Sequence, residues 1–161
     1  PVPRPDPRLR AGLDYLNPRV GGLDTLASYG VARDADDPHG AARAAVPEAH
    51  LAFLRDRPAS LATPQVFLAH AGVRPRLPLE AQEIDDLVWI REPFLSDTRD
   101  HGALVVHGHT PVERVELYPN RLAIDTGAAY GGPVSAVAIE EDGRVFLLTD
   151  TGRRPVRPIS P

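Results

Sequence analysis

The chain has 161 residues, 42% hydrophobic and 25% charged, which is enough for one folded domain with a core. Its net charge of −4 lends no electrostatic support to a nucleic-acid partner, and no apolar run approaches the roughly 18 residues of a membrane span. With no cysteine there is no disulfide and no thiolate zinc site, which fits a cytoplasmic location. All 18 basic residues are arginine, which we read mainly as genome composition. Methionine is also absent, so the start of the protein is expected upstream of Pro1, and the first residues read as a lead-in and not as a targeting signal.

The first sixty residues read as helical. Asp6-Pro7 pairs an N-cap residue with proline at the first helical position, and Leu9, Leu13 and Leu16 follow at helical spacing. Leu23, Leu26 and Ala27 predict a short amphipathic turn between Gly21-Gly22 and Gly30. Asp34 to Gly40 reads as a polar loop. A third helix is expected to start near Pro47, to turn Leu51 and Leu54 inward, and to stop before Pro58.

After residue 64 the period changes. Val66 to His70 and Ala103 to His107 read as buried strands, with a loop at Pro75 to Pro78 and helical turns from Ile84 to Ile90 carrying the single tryptophan, Trp89. Val112 to Tyr118 and Arg121 to Asp125 are expected to pair across Pro119-Asn120. Val134 to Glu140 and Arg144 to Thr149 predict a hairpin turning at Asp142-Gly143. The result is an α+β chain with one domain over residues 1–151, helical at about 6–58 and sheet-forming at about 64–151. Residues 152–161 form a proline-rich tail, expected to be loose.

His70 and His109 are the residues of greatest chemical interest. Each stands where an apolar run ends and has glycine close by, and they are 39 positions apart. A strand delivers its last side chain to a sheet edge, glycine allows close backbone approach, and neutral imidazole ligates Mn, Fe and Zn. Two such histidines are expected to converge on one ion. His107 and His109 are expected to point to opposite faces, so that at most one shares a site with His70. Arg91, in Val88-Trp89-Ile90-Arg91-Glu92-Pro93-Phe94, reads either as an ion-pair residue for Glu92, Asp85 or Asp86, or as a guanidinium fork over a phosphate. Asp125 precedes Thr126-Gly127 and reads as a ligand, a general base or a turn cap, the turn cap being the reading favoured. Tyr130 either packs or hydrogen-bonds a ligand. His39, His50 and His101 fall in polar stretches and are expected to be solvated.

The ordered segments His70-Ala71-Gly72, Leu87-Val88-Trp89-Ile90-Arg91-Glu92, His107-Gly108-His109-Thr110-Pro111 and Ile124-Asp125-Thr126-Gly127-Ala128 together carry a resemblance. Over roughly residues 20–150 the chain resembles the C-terminal half of a bacterial serine/threonine phosphoprotein phosphatase of the calcineurin-like metallophosphoesterase superfamily. The resemblance implies part of a two-sheet β-sandwich flanked by helices. It implies a hydrolase of phosphate monoesters acting through a metal-activated hydroxide, with two divalent ions (Mn, Fe or Zn). His70 and His109 would be metal ligands, Arg91 would contact the substrate phosphate catalytically, and Tyr130 would line the site as the weaker match. A dinucleoside polyphosphate hydrolase of the same superfamily, and a non-catalytic remnant that binds a partner or a phosphorylated ligand, are the alternatives. The family's Gly-Asp-x-His-Gly, Gly-Asp-x-x-Asp-Arg-Gly and Gly-Asn-His-Glu motifs are not in this sequence. Two imidazoles without those carboxylates form half of an active site, so the missing N-terminal half is the expected partner, alongside a phosphorylated protein or small phosphoester substrate.

Overall fold

The computed structural model describes residues 15–159. The expected helix start at Asp6-Pro7, with Leu9 and Leu13, lies outside the described residues. Among the described residues the chain is mixed α+β, with four α-helices and two sheets. None of these helices is long and apolar enough to cross a membrane. The chain divides into two compact units, one up to Arg57 and one from Pro58 onward.

The first unit contains α1 (Gly22–Ser28), α2 (Pro38–Ala45) and α3 (Glu48–Arg55). Helix α2 replaces part of the expected polar loop. Its cause is local: the Asp37 side chain accepts the Gly40 N–H at 2.8 Å, and Pro38 supplies the preset φ of a first helical residue. Helix α3 forms where expected, but Leu51 and Leu54 do not turn inward; they are 39% and 67% exposed.

The second unit is built on a five-stranded sheet of β1 (Ser60–Ala62), β2 (Val66–Ala69), β3 (Leu104–His107), β4 (Glu116–Leu117) and β5 (Arg121–Ala123), in the order β1-β2-β3-β5-β4. Strands β2, β3 and β5 run parallel, with Phe67 beside Val105 and His107 beside Ala123. Strand β1 is an antiparallel edge that sequence patterning missed. Helix α4 (Ile84–Trp89) covers one face, and the Ala71 N–H donates to the Leu87 carbonyl at 2.7 Å. Phe67, Ala71, Val73, Leu87, Ile90, Phe94 and Val105 make the core on that side. Gly72 is a steric necessity there, because a Cβ at that position would lie 2.2 Å from the Phe94 ring.

On the other face, Val106 and Leu122 cluster with Val145 of the three-stranded antiparallel sheet β6 (Val137–Ile139), β7 (Val145–Thr149) and β8 (Gly152–Pro155). The β6–β7 hairpin turns at Asp142-Gly143, as expected, with Gly143 at φ +82°. Residues 152–155 are not loose: they pair with β7 as β8, and Arg153 forms an ion pair with Glu140 at 2.5 Å. The pattern is invisible locally because Gly-Arg-Arg-Pro has no apolar alternation and acquires its strand from a partner.

Candidate functional site

The three parallel strands all end at one sheet edge, where open α/β sheets commonly bind ligands. Beyond β2 stands His70, beyond β3 stand Gly108 and His109, and beyond β5 stands Asp125. The pairing continues past the strands: the Gly108 N–H donates to the His70 carbonyl at 2.8 Å. This fixes the two histidine segments side by side. His70 Nε2 then lies 3.2 Å from His109 Nδ1, with the ring centroids 5.0 Å apart.

His109 has a backbone φ of +65°, a left-handed conformation that costs a non-glycine residue on the order of 1 kcal/mol or more. That geometry is what separates it from His107. Strand alternation is not the reason, since residues two apart on a strand share a face. His107 continues β3 and is buried, its ring 5.0 Å from that of Phe94 at 81°. Burial pushes its pKa down to about 4, so it is a neutral core imidazole that also forms part of the cleft floor. His109 leaves the strand path, stands perpendicular to the Trp89 ring with centroids 5.7 Å apart, and lies beside His70. Burial holds its pKa below the ordinary value, as do the charges of Arg91 and His70, while Asp125 opposes them.

His70, His107, Gly108, His109 and Asp125 line an open cleft of about 450 Å³. Its walls include Leu61, Leu68, His70, His109 and Asp125. Asp125 does cap a turn, its Oδ1 accepting the Gly127 N–H at 2.9 Å. Arg91 directly follows α4 and its C-cap Ile90, is exposed, and makes no ion pair among the described residues. The partners weighed for it are engaged elsewhere in two cases: Asp86 pairs with Arg74 at 2.5 Å, and Glu92 accepts from Ser96 at 2.6 Å. The buried neighbours Ile90 and Phe94 anchor its segment. Tyr130 ends a short 3-10 turn at Ala128–Tyr130, is 85% exposed, and does not line the cleft. The structure thus brings His70 and His109 together, while neither Arg91 nor Tyr130 is among the residues that line their cleft.

Of the histidines expected to be solvated, His101 departs. It is half-buried beside Phe94 at 5.7 Å, within 3.3 Å of the Asn120 amide, and burial lowers its pKa. Asn120 itself, unnoticed in the sequence, is buried and donates to the Asp97 and Arg99 carbonyls at 2.7 and 2.8 Å.

The two imidazole nitrogens suit a shared cation. Two metal–nitrogen bonds of about 2.0–2.1 Å place their nitrogens about 2.9–3.4 Å apart in octahedral to tetrahedral geometry, and the observed separation is 3.2 Å. Among the described residues, no group of three or more His, Cys, Asp or Glu side chains is disposed to hold a metal ion. No protein-family model matches the chain, and no curated protein is significantly similar to it.

Proposed function

We propose that this chain is the C-terminal portion of a metal-dependent serine/threonine phosphoprotein phosphatase with a calcineurin-like metallophosphoesterase sandwich. The observation that carries the reading is the 3.2 Å approach of His70 Nε2 to His109 Nδ1 at the carboxyl ends of parallel strands. His70 and His109 hold one of two divalent ions, Mn, Fe or Zn, whose other ligands come from the protein's N-terminal half. When bound, such ions supply Lewis acidity and a nucleophile usable at neutral pH. Arg91 offers its planar fork to two phosphate oxygens and neutralises charge that grows in the transition state. Tyr130, exposed on its turn outside the cleft lining, would contact only a substrate that extends beyond the cleft. The protein works in the cytoplasm on a phosphorylated protein or small phosphoester.

In the complete protein, Arg91→Lys is expected to impair turnover nearly as much as Arg91→Ala. Lysine keeps the charge and loses the second contact, and one lost preorganised donor typically costs about 10²–10³-fold in k_cat. Bound metal should be unchanged, because Arg91 is not a ligand. Steady-state kinetics with p-nitrophenyl phosphate, with metal analysis beside them, test this. The 161-residue chain alone should bind Mn²⁺ or Zn²⁺ weakly and leave the phosphoester intact. Metal-dependent turnover by that chain, or wild-type kcat/KM in both Arg91 variants, overturns the reading.

A further inference from the structure

Asp125 does more in this geometry than a turn requires. Its Oδ1 accepts the Gly127 N–H at 2.9 Å, and its backbone carbonyl accepts the Val112 N–H at 2.8 Å. Those two bonds satisfy the structural role of an aspartate ahead of glycine. The second carboxylate oxygen is not used by them, and it lies over Gly108. A Cβ at Gly108 would stand 3.3 Å from Asp125 Cβ and 3.6 Å from Oδ2, which places the carboxylate in packing contact with the backbone between His107 and His109.

The topology explains why the carboxylate is there. His107 pairs with Ala123 in the parallel register of β3 and β5, and the Ile124 N–H donates to the His107 carbonyl at 3.0 Å. Two residues further along each strand stand His109 and Asp125. Among the described residues that line the cleft, Asp125 is the one carboxylate. It is half-buried, where a charge is less screened than at the open surface. It does not join the two histidines as a third ligand in this arrangement.

We infer that Asp125 is a positioning residue for the histidine pair, supplying a fixed negative charge in the cleft that His70 and His109 line, which favours a cation between them. The inference rests on the metal reading of that pair. A cation held by two neutral imidazoles brings its full positive charge to the sheet edge, and a carboxylate already fixed by Gly127 offsets it without further ordering. The Gly127 N–H thus orients a carboxylate that packs against Gly108, between the two histidine positions of that segment.

The turn role and the charge role separate cleanly by substitution. Asp125→Asn keeps an oxygen for the Gly127 N–H and removes the charge; Asp125→Ala removes both. Zn²⁺ titration calorimetry on the 161-residue chain, with thermal melting of each variant, reads the difference. The expected result is a Zn²⁺ affinity about 10-fold or more below wild type in Asp125→Asn, in the range seen when partners of metal ligands are lost, with an unchanged melting temperature. Asp125→Ala should bind as poorly and also melt lower. If Asp125→Asn binds Zn²⁺ like wild type while His109→Ala does not bind, the charge role is overturned and the metal pair stands. If wild type binds no Zn²⁺, or His109→Ala binds as wild type does, the metal pair fails and the inference falls with it.

Discussion

The five-stranded sheet is packed on one side of its parallel strands and open on the other near β1. Beneath α4, Phe67, Val73, Phe94 and Val105 are at most 3% exposed. Across the sheet, Leu61 and Leu68 are 57% and 39% exposed and line the cleft. Two histidines two positions apart both border the cleft, but only one of them is packed into the core. His107 belongs to the packed region against Phe94, and His109 turns out of the strand to stand beside His70. The same side chain is a buried, neutral floor residue in one place and a more open cleft group in the other. Burial and one backbone torsion decide between them.

The packed region should be where substitution costs most in folding. Gly72→Ala is expected to show the largest effect. Its Cβ would meet the Phe94 ring at 2.2 Å, that ring is fully buried, and the backbone φ of +152° is itself strained for alanine. Overpacking and strain together should remove about 3 kcal/mol or more, read by urea denaturation. A loss under about 1 kcal/mol would mean that the core beneath α4 is looser than its burial implies.

The histidine pair sharpens the contrast within a single strand end. His107→Ala should cost about 2–4 kcal/mol, because it opens a cavity against Phe94. His109→Gly should leave stability within about 1 kcal/mol of wild type, since glycine accepts the φ of +65° freely. It should nevertheless abolish Zn²⁺ binding by the chain. Equal losses of stability in the two variants would erase the distinction between core and cleft histidines.

The smallest effect is expected at the margin of the packed region. Hydrogen bonds from the Arg99 side chain and backbone hold the Asp97 carboxyl at about 2, below its ordinary 3.8. A carboxyl depressed in the folded state stabilises above its unfolded pKa, and that contribution fades as pH falls from about 3.8 toward 2. Melting curves across this window should lose part of their pH dependence in Asp97→Asn. An identical slope in the variant would show that the Arg99 contact does not persist in solution.

Much of the fold was legible wherever near neighbours control it. Asp142-Gly143 dictates its hairpin, the helical turns expected over Ile84 to Ile90 form α4, and the apolar runs before His70 and His107 form strands. The signal for α2 was also present, since Asp37-Pro38 repeats the Asp-Pro pairing of residues 6 and 7, but the polar composition around it hid the helix. Strands β1 and β8 carried no periodic signal of their own: Ser60-Leu61-Ala62 is too short to show alternation and Gly152-Arg153-Arg154-Pro155 has none, so each acquires its strand by pairing with a neighbour.

The sequence by itself determined which residues have the chemistry for a site: two strand-end histidines, an arginine after a short helix, an aspartate before glycine. Turn chemistry and apolar spacing act over a few residues, so these positions can be read in order along the chain. Tertiary structure decided which of them meet. Parallel pairing joins segments far apart in sequence, and a Cα register between β2, β3 and β5 is what carries His70, His109 and Asp125 to one edge. It also decided that His107 is buried and that Tyr130 faces solvent away from the cleft lining, because burial depends on what the rest of the chain packs against each residue.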